Sequence, residues 1–302
     1  MTGASECVLA LGFFDGVHTA HRELLKIARK ESKKRGLPFG VFTFPSAGGI
    51  KSGAPRIYTD TEKNKIFESL GVDFLVSCDF SSVSSLTPDE FTKRVLISDM
   101  KCKTAVAGFN FRFGKGASGD IETLSALMRE NGGEAIICGE LKMDGRTVSA
   151  SFIRELISDG NMAGASALLG APYSVFGRVE RGNAVGSRLG FPTLNLPIEN
   201  GRLLPRLGVY TSAVKVLGKV YPAVTNVGKC PTLGERKAHI ETHLIGFRGD
   251  LYGCEAEVYL LSFLRPEIEF ESEEALKTQI NIDKERAIKE AGDLKWQELG
   301  LK

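Results

Sequence analysis

Two histidines three residues apart follow a glycine-containing turn near the start of the chain. The stretch LALGFFDGVHTAH, residues 9–21, runs from an apolar strand pattern through Gly12 and Gly16 to His18 and His21. Where a helix starts after such a turn, backbone N–H groups and the positive end of the helix dipole favour an anion such as a nucleotide triphosphate. Two imidazoles there would stabilise charge on a reacting phosphorus. Taken alone, His18 and His21 could also be ordinary polar residues at the start of a helix, with no chemical role.

A second polar cluster occupies residues 239–243, HIETH. On a strand, His239, Glu241 and His243 share one face, because successive side chains alternate. The order is not H-E-x-x-H, and the H-x-E of zinc deaminases needs a later P-C-x-x-C that this chain lacks. That face is therefore either solvated or catalytic.

A glycine-rich loop at residues 108–116, GFNFRFGKG, is not a P-loop. Its Lys115 is followed by Gly116, where a P-loop has the Ser or Thr that holds magnesium.

Strands alternate with helices through the first half of the chain, which predicts a doubly wound parallel sheet that binds ligands beyond the carboxyl ends of its strands. The predicted strands are CVLALGFF, PFGVFTF, VDFLVSCDF, KTAVAGF and EAIICGEL. The predicted helices are AHRELLKIARKESKKRG, TEKNKIFESLG, TPDEFTKRVLISDM, IETLSALMRENGG and SASFIRELISDGNMAGASALLG.

The pattern changes at Pro172 to short strands separated by glycine and proline, which is typical of a small antiparallel barrel. These strands are SVFGRVE, VYTSAVKVLGKVYPAVTNVG, HIETHLIGF and CEAEVYLLSFL, and a helix, SEEALKTQINIDKERAIKEAG, follows them. The fold class is therefore α/β, with an N-terminal Rossmann-like doubly wound domain and a C-terminal small antiparallel β-barrel with a terminal helix. We place the domains at 1–171 and 172–302.

The composition and charge indicate which classes of binding partner and which cellular compartment to expect. The formal net charge of +2 gives no reason to expect a nucleic-acid partner. No segment approaches the roughly 18 uninterrupted apolar residues of a membrane span, and no basic region precedes the apolar N-terminal stretch. The six cysteines form no C-x-x-C pair, which fits a reducing cytoplasm.

Ordered motifs across nearly the whole chain resemble those of bacterial bifunctional riboflavin kinase/FAD synthetases. GFFDGVHTAH resembles the G-x-F-D-G-x-H-x-G-H motif of the nucleotidyltransferase domain, GFNFRFGKGASGD is similar to its second glycine-rich loop, and VSASFIREL is similar to its S-S-T-x-I-R phosphate motif. GRVERGNAVGSRLGFPTLNL resembles the riboflavin kinase signature with its P-T-x-N, and TNVGKCPTLGE, IETHLIGFRGDLYG and LRPEIEFES follow in the family's order.

This resemblance implies adenylylation of FMN to FAD, with release of pyrophosphate, in the first domain. His18 and His21 are then catalytic, and Asn110 orients phosphate or flavin. Asp15 is in the motif, although its carboxylate need only shape the turn. The other implied ATP and phosphate contacts are Gly12, Phe13, Phe14, Gly16, Ser149, Ser151 and Arg154. Arg154, at a helix start, is also compatible with a surface position.

The same resemblance implies phosphorylation of riboflavin to FMN in the second domain, with Glu241 as the catalytic base. Thr193 and Asn195 bind Mg²⁺ or another divalent cation and phosphate, although after Pro192 they could also cap a turn. Gly182, Gly186 and Arg188 form a loop over the nucleotide, and Arg265 and Glu267 contact the flavin. ATP is the co-substrate of both steps, and riboflavin, FMN and FAD are the other small-molecule partners.

Several residues depart from the family pattern. Ala20 replaces the glycine between the histidines, Ala150 replaces the middle residue of S-S-T, and the histidine of T-F-x-P-H-P is absent after Pro45. Arg181 and Asn183 stand where His and Asp are expected. Two alternatives therefore remain: a monofunctional member in which one domain has weak or lost activity, with Ala20 and Ala150 pointing to the first domain, and a non-catalytic flavin- or nucleotide-binding regulator.

Overall fold

The computed structural model describes residues 6–45, 53–181, 191–232 and 235–293, and it divides into two compact units, Met1–Ala150 and Ser151–Lys302. Helices between residues 150 and 169 are thereby grouped with the second unit, whereas the sequence pattern places them in the first. The boundary at residue 171 stays a prediction about fragments that fold independently.

The first unit is built on a five-stranded parallel sheet of order β3-β2-β1-β4-β5. Its strands are β1 (Cys7–Leu11), β2 (Phe39–Thr43), β3 (Phe74–Ser77), β4 (Cys102–Gly108) and β5 (Glu134–Cys138). Its helices are α1 (Thr19–Arg35), α2 (Asp60–Ser69), α3 (Phe80–Val83), α4 (Pro88–Glu90), which continues as a π-helical segment Phe91–Asp99, and α5 (Ile121–Glu130). A two-stranded hairpin follows, β6 (Lys142–Met143) and β7 (Arg146–Thr147). The predicted doubly wound parallel sheet is confirmed.

Both faces of this sheet are covered, as the apolar β1 sequence requires. Val8 and Ala10 pack on one side with α1 and α2 residues such as Leu25 and Phe67. Leu9 and Leu11 pack on the other side. Because β4 lies on the far side of β1 from β2, the connections change direction between β1 and β4, which is where such sheets bind ligands.

Helices α6 (Ala150–Asp159) and α7 (Met162–Leu169) precede the second sheet. They correspond to one predicted helical segment, which breaks at Gly160, where φ is +80°. The six antiparallel strands after them lie in the order β8-β13-β10-β11-β12-β9. They are β8 (Ser174–Arg178), β9 (Thr193–Pro197), β10 (Gly208–Val216), β11 (Lys219–Thr232), β12 (Glu235–Leu244) and β13 (Glu255–Arg265).

The second sheet is nearly closed into the predicted barrel. The chain after β8 reaches β9, where the Glu180 N–H donates to the Asn195 carbonyl at 2.9 Å. Inside the barrel, the hydroxyls of Ser212, Thr225 and Thr242 form a buried ladder with spacings of 2.7 and 2.9 Å, which fixes the register of three strands. Helix α8 (Glu273–Asp293) is the predicted terminal helix. Within the described ranges, no helix is long and apolar enough to cross a membrane.

Candidate active sites

A turn after β1 places the first histidine at the start of α1. Phe14 has φ of +52° and is fully buried, and Gly16 has φ of +77°. The Asp15 carboxylate accepts the Ile57 backbone N–H at 3.1 Å, so Asp15 shapes the turn. His18 is the N-cap of α1, and its Nδ1 accepts the His21 backbone N–H at 3.4 Å.

The two imidazole rings lie face to face, with centroids 3.6 Å apart and planes 14° apart. Burial lowers the pKa of His18 to about 4. Burial also holds the pKa of His21 well below its ordinary value, and the charges of His18 and Lys63 act in the same direction. Both rings are therefore neutral near pH 7. Since His18 Nδ1 is an acceptor, the neutral ring carries its proton on Nε2.

These histidines line a cavity of about 490 Å³ in the first unit. Its wall includes Gly12 after β1, Gly108 at the end of β4, and Cys138 and Gly139 at the end of β5. The cavity thus lies at the carboxyl ends of the strands, as predicted. Of the residues predicted for this site, the wall contains Gly12, Phe13, Phe14, Asp15, His18, His21, Asn110 and Ser149.

Other predicted residues of the first site lie elsewhere. Gly16 is buried in the turn, and Ser151 and Arg154 lie on α6, which is grouped with the second unit apart from its first residue. Ala20 and Ala150, the two departures from the family pattern, both line the cavity.

Aromatic side chains form one wall of the cavity. Phe13 packs on Phe44 at 4.9 Å between centroids, and Phe44 packs on Phe80 at 5.4 Å. Phe111 stacks on Phe113 at 5.7 Å, with planes 17° apart. The sequence analysis missed Phe44, Phe80 and Phe113, because they come from separate segments. A cavity lined by both aromatic rings and histidines suits a planar heteroaromatic ligand that carries phosphate.

Lys63 is a further residue that sequence analysis missed. Only 3% of its surface is exposed, and its Nζ lies 3.3 Å from an Asp60 carboxylate oxygen and 3.4 Å from the Phe44 carbonyl. It supplies a buried positive charge that acts on His21.

The second candidate site is the polar face of three neighbouring strands, β9, β12 and β11. Leu194, Leu196, Ile240 and Thr242 point inward and are buried, so the alternating residues Thr193, Asn195, His239, Glu241 and His243 point outward. The prediction that His239, Glu241 and His243 share one face is confirmed. The alternative that Thr193 and Asn195 cap a turn is wrong, because both are paired residues of β9.

Strand register aligns these side chains in rows. Glu241 lies between Asn195 on β9 and Asn226 on β11, and His243 lies opposite Thr193. The Glu241 side chain is 38% exposed, and His239 Nε2 lies 3.3 Å from its Oε1. A solvent-accessible carboxylate on this face can accept a proton from a hydroxyl group.

His243 supports the start of β9. Its Nδ1 lies 2.9 Å from the Pro192 carbonyl, and its ring meets Phe191 edge-on at 5.5 Å. Burial lowers the pKa of His243, and Lys284 on α8 acts in the same direction.

Arg265 and Glu267 contact other protein groups. The Arg265 Nη2 donates to the buried Asp283 of α8 at 2.8 Å, and its Nε does so at 3.1 Å. Glu267 Oε1 accepts the Asn226 Nδ2 at 3.0 Å. Asp283 and Asn226 are the partners that the sequence did not indicate.

A cavity of about 250 Å³ lies beside Thr193 in the second unit. Pro192, Asp250 and Tyr252 also line it, and the Arg181 guanidinium lies over the Tyr252 ring at 5.2 Å. Asn195 and Glu241 are absent from its described wall. Gly182, Gly186 and Arg188 lie outside the described residues.

Comparisons with known proteins agree with this division. The family model for FAD synthetase matches residues 2–152, and the one for riboflavin kinase matches residues 169–290. The bifunctional riboflavin kinase/FMN adenylyltransferase of Escherichia coli K12 is 36% identical over 285 residues, which cover 92% of this chain and 90% of that protein. The protein of the same name from Bacillus subtilis 168 is 32% identical over 300 residues, covering 96% and 94%.

A solved structure has the same architecture over most of both chains. It is the crystal structure of a macrolide-efflux protein from Streptococcus pneumoniae, with a TM-score of 0.82, 32% identity, and coverage of 94% of this chain and 95% of that one. The described part of the present chain has no membrane-spanning helix.

Proposed function

The chain belongs to the family of bifunctional riboflavin kinase/FMN adenylyltransferases, and we propose which of its residues carry each of the two reactions. The enzyme converts riboflavin to FMN and FMN to FAD, and ATP is the co-substrate of both steps. The nucleophiles differ. Riboflavin offers a neutral ribityl hydroxyl to the γ-phosphorus, whereas FMN offers an ionised phosphate to the α-phosphorus.

Adenylylation takes place in the cavity of the first unit, and the stacked His18–His21 pair is the observation that supports this proposal best. Because the attacking phosphate is already anionic, the reaction needs positioning and charge stabilisation more than a base. Neutral imidazole N–H groups beside the N-terminus of α1 would donate to the phosphoryl oxygens as the bond to FMN forms and pyrophosphate leaves.

The flavin of FMN lies against the aromatic side chains that line the same cavity. The Phe13–Phe44–Phe80 cluster offers ring faces and edges to a flat isoalloxazine, and Asn110 on the loop after β4 orients it or its phosphate. Gly12 and Ser149 contact the ATP phosphates, and we keep Ser151 and Arg154 as phosphate ligands on the motif alone.

Riboflavin phosphorylation uses the outer face of β9 and β12. Glu241 accepts the proton of the ribityl hydroxyl, because a neutral hydroxyl is a weak nucleophile near neutral pH. Its exposure and its place opposite Asn195 support this role. The cavity beside Thr193 accommodates part of the nucleotide, with Gly182, Gly186 and Arg188 assigned to its cover from the motif.

Thr193 and Asn195 are suited to Mg²⁺. They are alternate residues of one strand face and supply a hydroxyl and an amide oxygen, the hard neutral donors that Mg²⁺ combines with substrate phosphates and water. No group of three or more His, Cys, Asp or Glu side chains within the described residues is arranged to hold a metal. When bound, the ion would neutralise charge on the transferred phosphoryl group.

Arg265 and Glu267 shape the flavin site of the kinase through other residues. Arg265 holds α8 by way of Asp283, and Glu267 holds Asn226 beside Glu241. We also place the enzyme in the cytoplasm, which the free thiols of Cys7, Cys78, Cys102, Cys138 and Cys254 support.

The assignment is tested by measuring both reactions in site variants. Riboflavin and FMN are supplied separately with ATP and Mg²⁺, and the flavins are separated by chromatography. His21→Ala should lose FAD formation and keep FMN formation. Loss of both reactions, or of neither, would overturn the assignment of His21 to adenylylation.

A further inference from the structure

His239 is a histidine on the kinase face that the two reactions, as assigned above, do not use. Its Nε2 lies 3.3 Å from Glu241 Oε1, and its side chain is 21% exposed, against 38% for Glu241. The two residues alternate on β12, so their side chains leave the strand on the same side. A ring nitrogen of a largely buried side chain thus lies within reach of one oxygen of the proposed base.

On the neighbouring strand β11, the residues opposite this pair lie against Glu267. Opposite Glu241, Asn226 directs its Nδ2 to Glu267 Oε1 at 3.0 Å. Opposite His239 stands Gly228, and a Cβ added there would come within 2.8 Å of Glu267 Oε1. Glu267 therefore occupies the space above Gly228 and engages the amide of Asn226, whereas the His239 Nε2 lies next to Glu241 Oε1.

We propose that His239 is a positioning residue of the riboflavin kinase reaction. Its Nε2–H holds Oε1 of Glu241, so that the other carboxylate oxygen faces the ribityl hydroxyl. This inference rests on Glu241 being the base, as proposed above. A carboxylate on a strand turns about its side-chain bonds, and a hydrogen bond to one oxygen limits that rotation before the substrate arrives.

A positioning role predicts which substitutions are tolerated. Glutamine places its amide nitrogen close to the Nε2 position of histidine, whereas asparagine reaches only as far as Nδ1. His239→Asn should lower kcat for riboflavin phosphorylation about 10-fold, the effect of one hydrogen bond to a charged group. His239→Gln should stay within about 3-fold of the wild-type kcat, since it keeps the donor.

A double-mutant cycle with Glu241→Gln tests whether His239 acts through Glu241. In that background His239→Asn should change kcat by less than about 2-fold, because the carboxylate it positions is gone. Thr193→Ala serves as the control. It should lower kcat in the Glu241→Gln background as well, which would show that the assay still resolves slower rates. Thermal unfolding of every variant identifies any that fails to fold.

The possible outcomes distinguish a failure of the His239 inference from a failure of the proposal that Glu241 is the base. Wild-type kcat in Glu241→Gln would overturn the proposed base, and the inference with it. If Glu241→Gln lowers kcat, three results would overturn the inference alone. The first is a wild-type kcat in His239→Asn, and the second is a kcat in His239→Gln as low as that in His239→Asn. The third is a loss of kcat from His239→Asn that is as large in the Glu241→Gln background as in the wild type.

Discussion

The imidazole ring of His18 lies against that of His21, with centroids 3.6 Å apart, while His18 Nδ1 caps the helix on which His21 stands. The two ring nitrogens of His18 are thus distinct. Its Nδ1 accepts a backbone N–H, and its Nε2 is the atom that we propose donates to a phosphoryl oxygen.

His18→Asn separates these roles, because asparagine is a good N-cap but lacks the imidazole Nε2. We expect FMN adenylylation to fall about 100-fold, as for the loss of a transition-state hydrogen-bond donor. The helix start should remain intact, so the thermal midpoint should stay close to that of the wild type, and riboflavin phosphorylation should not change. FAD formation at the wild-type rate would exclude His18 from the chemistry.

Burial of His18 also makes stability depend on pH. Its pKa of about 4 in the folded chain lies below the ordinary 6.5, so the unfolded chain takes up the proton more readily. The resulting stabilisation is complete above that ordinary pKa and is lost as the pH falls towards the folded pKa. The difference between these two pKa values corresponds to as much as about 3 kcal/mol in the free energy of unfolding.

Urea unfolding of wild type and His18→Asn at about pH 7 and about pH 4.5 measures this linkage. Acidification should lower the free energy of unfolding of the wild type more than that of the variant. The variant should therefore gain in stability relative to the wild type at the lower pH. An equal loss in both proteins would show that His18 is not held neutral by burial.

Ala150 tests the effect of the missing hydroxyl in the phosphate motif. It lines the cavity at the start of α6, next to Ser149. Ala150→Ser should lower KM for ATP in the adenylylation reaction about 10-fold, as expected for one added hydrogen bond to a charged group. The KM for ATP of riboflavin phosphorylation is the internal control and should stay the same. An unchanged adenylylation KM would mean that this position does not reach the phosphates.

Two C-terminal fragments test the domain boundary. Residues Met162, Ala165 and Leu168 of α7 are buried, and the Arg206 N–H donates to the Ile157 carbonyl of α6 at 3.3 Å. Fragment 151–302 should therefore have a higher thermal midpoint than fragment 172–302, and both should phosphorylate riboflavin. Equal midpoints would support the boundary at residue 171.

Much of this arrangement follows from local sequence pattern. Apolar strands that alternate with helices predict the parallel sheet and the location of its cavity, and alternation alone places His239, Glu241 and His243 on one face. The β9 strand was harder to predict, because Thr193 and Asn195 follow a proline and only pairing with β12 reveals the strand.

Contacts between distant segments could not be predicted in this way. Phe44 and Phe80 join one aromatic wall although they are far apart in sequence, and Lys63 becomes a buried charge near His21 only after α2 packs on the sheet. Arg265 likewise finds Asp283 through the docking of α8. Such partners depend on tertiary packing, which no short window of sequence contains.

The central claim is that separate residues of one chain carry the two reactions, and Glu241→Gln tests it most directly. Glutamine keeps the shape of the side chain but not its basicity, so phosphorylation of riboflavin should fall by roughly 10²–10⁴. The measurement is chromatographic separation of flavins after the variant is incubated with ATP and Mg²⁺, with riboflavin in one reaction and FMN in another. We predict that FMN formation nearly disappears while supplied FMN becomes FAD at the wild-type rate. Normal phosphorylation of riboflavin by this variant, or an equal loss of both activities in a folded protein, would contradict the account.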